Sequence, residues 1–247
     1  MATSGSRRST WAAGFDIFLG GTLENFRRLR DDGGSPAARA HTRLLIGPWG
    51  HGSAFGAYPD HELPGLEAPI DLAELQLEFF DRHLRGGAAD DGEAPVRIFV
   101  MGEAHWRDEP DWPPPKASVE RWFLRRSGLS PEAPADEPHD EYVYDSRDPA
   151  PTIGGPTSLP GRLMKPSAGP LDQRPLERRK DVLVYTSQRL EQPLEVTGPL
   201  ELVLYAASSA PDTDFVGKLC DALAPARQRV FHDADRPSHL LLPVVRR

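Results

Sequence analysis

An aspartate and a histidine, Asp16 and His51, stand where the sequence pattern predicts the ends of two buried strands. Asp16 lies in GFDIFLGG, directly before glycines and a predicted helix start, and His51 follows a Gly-Pro turn in LLIGPWGHGS. One helix and one strand separate them, so both are expected on loops at the carboxyl edge of a parallel sheet. There the carboxylate could orient the imidazole, as in a Ser-His-Asp triad, where the imidazole takes the proton of the nucleophile.

Both residues also have a structural interpretation. Asp16 could simply cap a turn, and His51 could be one loop histidine among the eight in the chain. The chain order, acid before histidine, is that of the α/β-hydrolases. From the residues alone, the catalytic pair and the two structural roles all stay open.

A first helix and a buried strand must position this pair. Thr22 is predicted to cap the helix, and the DDGG of residues 31–34 is predicted to end it. Residues 44–46 are too few for a helix and do not alternate in polarity, which is typical of a strand covered on both faces. The apolar positions of the helix recur at helical spacing: Leu23, Phe26 and Leu29.

A second helix is predicted after the histidine segment. Asp71 and Glu74 have the spacing of a capping box, and Gly86 and Gly87 are expected to stop the helix. This alternation of helix and strand implies a parallel sheet of the α/β class. The face predicted to be buried carries Leu72, Leu75, Phe79 and His83.

The sequence after Pro95 is predicted to be all-β. Prolines and glycines separate its strand candidates, and the segments 128–140 and 154–175 are predicted to be exposed loops. The strand candidates are VRIFVM, RWFLRR, EYVYD, DVLVYTS and PLELVLYAASS.

Composition excludes several classes of function. The net charge is -8 with no basic face, which argues against a nucleic-acid partner. The one cysteine, Cys220, excludes an internal disulfide and a Cys-rich metal site. The sequence contains no signal-peptide pattern and no run near the ~20 apolar residues of a membrane span. We therefore expect a soluble, cytoplasmic protein without a membrane partner; its oligomeric state cannot be read from the sequence.

An ordered series of segments resembles the CocE/NonD family, the cocaine-esterase and X-prolyl dipeptidyl-peptidase type of hydrolase. The resemblance covers most of the chain and is far more specific than any single segment. The segments are AGFDIFLGGTLENF, RLLIGPWGHG, LQLEFFDRHLRG, VRIFVMGEAHWRDEPDWPPP, DVLVYTSQRLEQPLEVTGPLELVLYAASSAPDTDF and RVFHDADRPSHLLLPVV.

The resemblance implies a serine hydrolase of esters or amides that needs no metal or organic cofactor. Asp16 would be the triad acid and His51 the triad base. Residues 11–90 would form the C-terminal segment of an α/β-hydrolase domain, and 95–247 a jelly-roll β-sandwich. The fold class is therefore α/β plus all-β.

The departures from the family pattern concern the nucleophile and the sandwich. No G-x-S-x-G elbow occurs in the sequence. Ser35 lies between the acid and the histidine and precedes a proline, so it is predicted to be a turn residue. Ser53 is predicted to be a loop residue, and Cys220 is predicted to be a buried apolar residue. Near 222–226 the resemblance implies that sandwich strands are missing, which makes the jelly roll incomplete.

Two functions therefore stay open. The first is a hydrolase that acts on a small-molecule ester or peptide only when an N-terminal part supplies the serine, the chain alone being inactive. The second is a non-catalytic β-sandwich module that binds a ligand or partner.

Two other groups of residues have structural interpretations. Trp106 and Trp112 are predicted to pack at a domain junction rather than to form a ligand platform. Asp212 and Asp214 are predicted to form a turn or an ion pair rather than a cation site.

Overall fold

The fold is described from a computed structural model, which divides the chain into two units. The first comprises Met1–Lys116 with Gly154–Leu171, and the second comprises Ala117–Ile153 with Asp172–Arg247. The structure describes residues 9–51, 57–58, 61–62, 70–85, 92–101, 103–156, 169–221 and 238–245.

Strands and helices follow one another in this order: β1 (Ser9–Phe15), α1 (Leu19–Asp32), α2 (Pro36–Ala40), β2 (Arg43–Gly50), β3 (Ala57–Tyr58), β4 (His61–Glu62), α3 (Leu72–Leu84), β5 (Val96–Val100), β6 (His105–Glu109), β7 (Phe123–Arg125), β8 (Gly128–Ser130), α4 (Arg174–Glu177), β9 (Val182–Thr186), β10 (Asp214–Phe215), β11 (Lys218–Asp221) and β12 (Ser238–Val245). None of the helices in the described ranges is long and apolar enough to cross a membrane.

The first unit is built on a four-stranded sheet with the order β1-β2-β5-β6. β1, β2 and β5 run parallel, as the alternation of helix and strand predicted, and β6 adds an antiparallel edge. The VRIFVM segment pairs into this sheet through β5. The first unit extends to Lys116 in this part of the chain.

The core of the first unit lies where α1 covers this sheet. Phe26 is 0% exposed and packs on buried side chains of β2 and β5. Leu23 adds a partly buried contact from the same face of α1. The predicted helical spacing therefore identified the buried face of α1 correctly. The strand residues of this core are Leu44, Val96, Ile98 and Val100.

The ends of the two longer helices agree with the sequence in two places and differ in one. α1 ends before Gly33 and α3 begins after Asp71, whose carboxylate accepts hydrogen bonds from two backbone N–H groups of the first turn. Thr22, however, is not a cap, because α1 already begins at Leu19. The predicted stop at Gly86 and Gly87 lies outside the described residues.

The face of α3 that was predicted to be buried is only half-buried, and no residue of α3 is fully buried. Leu72, Leu75, Phe79 and His83 are all on this face, whereas Leu77 and Phe80 are exposed. The ring centroids of Phe79 and His83 are 4.5 Å apart. His83 therefore packs on Phe79 of its own helix and on the ring of His41, whose centroid is 5.2 Å away.

Among the described residues of the second unit, every strand ladder is antiparallel, and one isolated parallel bridge joins Leu129 to Ser187. β7 pairs with β8, and β12 pairs with β9, β10 and β11. The predictions for RWFLRR and DVLVYTS are confirmed by β7 and β9. EYVYD (141–145) and PLELVLYAASS (199–209) contain no strand, because no described strand lies beside either to complete a ladder. The predicted gap near 222–226 falls outside the described residues.

Candidate active site

The register of β1 and β2 brings Asp16 and His51 side by side. Ala13 pairs with Gly47, but two residues later Phe15 pairs with Gly50, so β2 contains one extra residue. This is the geometry of a β-bulge. Without the extra residue, Asp16 would lie opposite Gly50. The bulge moves His51 into register with Asp16.

Pro48 lies within this bulge and explains how the strand tolerates it. Proline has no N–H for a ladder and is found in sheets mainly at bulges and edges. On the other side of β2, the pairing with β5 ends at Ile46, before the proline is reached. The Gly-Pro-Trp-Gly run in the second half of β2 therefore produces the irregular stretch that places His51 beside Asp16.

The carboxylate of Asp16 contacts the imidazole of His51 directly. His51 Nδ1 lies 3.2 Å from Oδ1 and 3.2 Å from Oδ2 of Asp16, so both oxygens share one ring nitrogen. A carboxylate accepts but does not donate, so this contact holds the proton of the neutral imidazole on Nδ1. Nε2 is then left with a free lone pair. The side chain of Asp16 is 18% exposed and that of His51 37% exposed, so the acid is the more enclosed of the two.

Asp16 also organises the entry to α1. Its Oδ1 accepts a 2.9 Å hydrogen bond from the backbone N–H of Phe18, and its carbonyl oxygen accepts one from the N–H of Leu19 at 3.1 Å. Such a side-chain contact two residues ahead is an Asx turn. The turn-capping role and the contact with His51 therefore belong to the same carboxylate, and they are not alternatives.

Phe18 is the contact that sequence reasoning missed. Its ring lies edge-on to the imidazole of His51, with centroids 5.4 Å apart and planes 68° apart. Because its N–H also binds Asp16, Phe18 contacts both members of the pair. The only sequence signal for this contact was an apolar residue two positions after Asp16. The direction of its ring depends on the Asx turn.

Aromatic rings on three strands of the same sheet, β2, β5 and β6, contact one another. The ring centroid of Trp106 is 5.9 Å from that of Trp49 and 5.3 Å from that of Phe99. Trp112 packs against the core of the first unit. The contacts of both predicted tryptophans are therefore packing contacts. Trp106 Nε1 is buried and has no hydrogen-bond partner among the described residues.

Among the described residues, no serine or cysteine forms a hydrogen bond with His51. Ser35 is the N-cap of α2, where its hydroxyl accepts a 3.1 Å hydrogen bond from Ala38 N–H, as a turn residue would. Cys220 lies on β11 in the second unit, and burial raises the pKa of its thiol to about 11, which disfavours the thiolate. Ser53 lies outside the described residues.

The predicted acidic pair at Asp212 and Asp214 shows no cation site. Both residues are exposed, and Asp214 begins β10. In the part of the chain that the structure describes, no group of three acidic, histidine or cysteine side chains gathers to hold a metal ion.

Comparisons with known proteins agree on one family. Residues 88–239 match the family described as the X-Pro dipeptidyl-peptidase C-terminal non-catalytic domain. Cocaine esterase from Rhodococcus sp. (strain MB1 Bresler) is 39% identical over 230 residues, which are 87% of this chain and 38% of that enzyme. The chain thus spans well under half the length of this relative.

Two solved structures are similar in fold. An aminopeptidase from the marine sediment archaeon Thaumarchaeota archaeon superposes with a TM-score of 0.70 at 24% identity, covering 97% of this chain and 40% of that one. An α-amino acid ester hydrolase superposes with a TM-score of 0.68 at 22% identity, covering 96% of this chain and 47% of that one. At these identities the likeness concerns the fold alone.

Proposed function

We propose, from the premise that this chain belongs to the CocE/NonD family and corresponds to the C-terminal portion of its members, that Asp16 and His51 are the acid and base of a Ser-His-Asp hydrolase. The observation that carries the proposal is the contact of His51 Nδ1 with both carboxylate oxygens of Asp16 at 3.2 Å. It is the contact a triad requires, since it orients the ring and fixes the tautomer. The family premise supports this function over a chance pair, because the relatives include esterases.

In the proposed reaction, His51 Nε2 takes the proton of a serine hydroxyl as the serine oxygen bonds to the substrate carbonyl carbon. The imidazolium that forms is stabilised by Asp16 through Nδ1–H. Nε2 then gives its proton to the leaving alcohol or amine as the bond from carbonyl carbon to the leaving group breaks. Water repeats the sequence and releases the acid product.

The serine would come from the portion of family members that precedes the stretch matching residue 11. Hydrolysis by this chain alone should then be near background, because its sequence has no nucleophile elbow. The substrate class we propose is a small-molecule ester or peptide. Location in the cytoplasm stays a prediction.

The second candidate is a non-catalytic β-sandwich module that binds a ligand or a partner chain. The family match favours it specifically, since residues 88–239 match a domain described as non-catalytic and contain neither Asp16 nor His51. We propose that 95–247 is an incomplete jelly-roll sandwich, with the antiparallel pairs of β9, β11 and β12 as support. Residues 11–90 would be the end of the hydrolase domain.

Complementation separates the two candidates. The purified chain is mixed with the N-terminal portion of the Rhodococcus cocaine esterase that the alignment leaves uncovered, and hydrolysis of a chromogenic acetate ester is measured with and without it. We expect turnover and fluorophosphonate labelling only in the mixture, and loss of turnover with His51→Ala. His139→Ala is the matched control, because His139 is exposed and its Nε2 lies 2.6 Å from a carboxylate oxygen of Glu141.

The outcomes are distinct. Turnover by the mixture that survives His51→Ala would refute the role of His51. A stable complex without turnover would favour the binding module. Labelling of the chain by itself would mean that it carries its own activated serine, contrary to the proposal.

A further inference from the structure

Residues 199–207, the edge segment, combine strong strand propensity with exposure. Leu200, Val203 and Tyr205 are exposed large apolar side chains, and Leu202 is exposed as well. No proline or glycine interrupts residues 200–207, so each backbone N–H is available to a ladder. Yet no described strand pairs with this segment. Seven-residue windows of this composition and low charge are those that form strands with another chain.

We propose that the edge segment is an interaction surface that pairs with the same segment of a second copy of this chain, as an antiparallel two-stranded ladder centred on Val203. The proposal is independent of the hydrolase function. It commits to a closed, two-fold symmetric dimer, in which each copy presents the same surface.

The low charge of the segment permits pairing with a second copy, and Glu201 selects the orientation. Glu201 is the single charged residue within 196–211, although the whole chain carries a net charge of -8. Two acidic copies therefore meet with least repulsion along this segment. Antiparallel pairing about Val203 places Glu201 opposite Tyr205, whereas parallel in-register pairing would place Glu201 opposite Glu201, which is unfavourable.

The side-chain pattern fits the same register. Strand residues alternate between faces, so Leu200, Leu202 and Leu204 would share one face. In the antiparallel register Leu202 of one copy would lie opposite Leu204 of the other. Val203 would face Val203 across the symmetry axis. These pairs are apolar in both copies, which is the condition for a stable cross-strand contact.

The test compares one substitution at two exposed valines. Val203→Lys would set two lysines opposite each other at the axis, and Val143→Lys is the matched control in the same unit. Val203 is 65% exposed and Val143 87% exposed, so neither substitution removes a core contact. Sedimentation velocity over a wide concentration range should show a monomer–dimer equilibrium whose Kd rises about tenfold or more with Val203→Lys and is unchanged with Val143→Lys. Circular dichroism checks that both variants keep the fold.

Cysteine cross-linking tests the register. In a Cys220→Ser background, Val203→Cys should form an intermolecular disulfide readily, and Glu201→Cys should not. A protein that stays monomeric at all concentrations, a dimer indifferent to Val203→Lys, or open-ended assemblies would each overturn the proposal. Preferential cross-linking through Glu201→Cys would overturn it too, because that result requires the parallel register.

Discussion

Replacing Asp16 with asparagine changes one oxygen of the pair into an amide NH₂ and leaves the shape of the side chain almost unchanged. In the native protein Oδ1 also accepts the N–H of Phe18 at 2.9 Å. An asparagine would keep its remaining oxygen on that N–H, so its NH₂ would face His51 Nδ1. Because NH₂ donates, Nδ1 must then accept, and the ring proton moves to Nε2. Asp16→Asn should therefore reverse the tautomer of His51.

The size of this effect follows from the native contact. A hydrogen bond to a charged group contributes about 1.5–3 kcal/mol. The two 3.2 Å distances lie at the long end of the N–H···O range, and the imidazole is 37% exposed, so the lower figure applies. About 1.4 kcal/mol corresponds to a tenfold ratio. The ratio of the Nδ1–H to the Nε2–H form should thus fall roughly tenfold or more.

Long-range ¹H–¹⁵N correlation spectra of protein with ¹⁵N-labelled histidine measure this ratio directly, at a pH where the imidazole is neutral. His139 is an internal control, because its contact with Glu141 is unaffected. Global stability should change by less than about 1 kcal/mol, since the turn at Phe18 keeps its acceptor. If the Nδ1–H form persists in Asp16→Asn, the carboxylate does not hold the imidazole and the proposed triad geometry is wrong.

Three further results are expected. Phe18→Ala should leave the turn at Asp16 intact but free the His51 ring to rotate, which NMR would detect as averaging of the His51 side-chain couplings, whereas Phe18→Leu should retain part of the restraint. Equal couplings in the native protein and both variants would contradict this. Phe26→Ala should lower the free energy of unfolding in urea by about 3–5 kcal/mol, because Phe26 is 0% exposed, whereas Phe80→Ala should lower it by less than about 1 kcal/mol, because Phe80 is 52% exposed. Similar losses in the two variants would refute the assigned core. Burial raises the pKa of Cys220 from 9.0 to about 11, so at pH 8 iodoacetamide should react with the folded chain far more slowly than with the unfolded chain, and fast reaction of the folded chain would contradict the burial. The unfolding free energy should also fall as the pH rises from 9.0 toward about 11, because the thiol of the unfolded chain ionises first.

Local signals were sufficient for several elements. Asp71 caps α3 because its carboxylate reaches N–H groups two and three residues ahead. Phe26 faces the core because helical spacing sets the buried face of α1. The alternation of helix and strand predicted a parallel sheet, and with it that Asp16 and His51 follow neighbouring strand ends. The cap and the buried face depend on interactions within about one element, and the parallel sheet follows from the general rule for alternating helices and strands, so the sequence pattern contains the necessary information.

Other features depend on pairing between distant segments. The extra residue of β2 at Pro48 aligns His51 with Asp16 only through its ladder with β1, and α1 begins at Leu19 rather than Thr22 because the turn at Asp16 precedes it. Residues 199–207 have the composition of a strand, but composition cannot supply a neighbour. A strand is stable only when its backbone groups are paired, so the tertiary structure alone decided which strand candidates became strands.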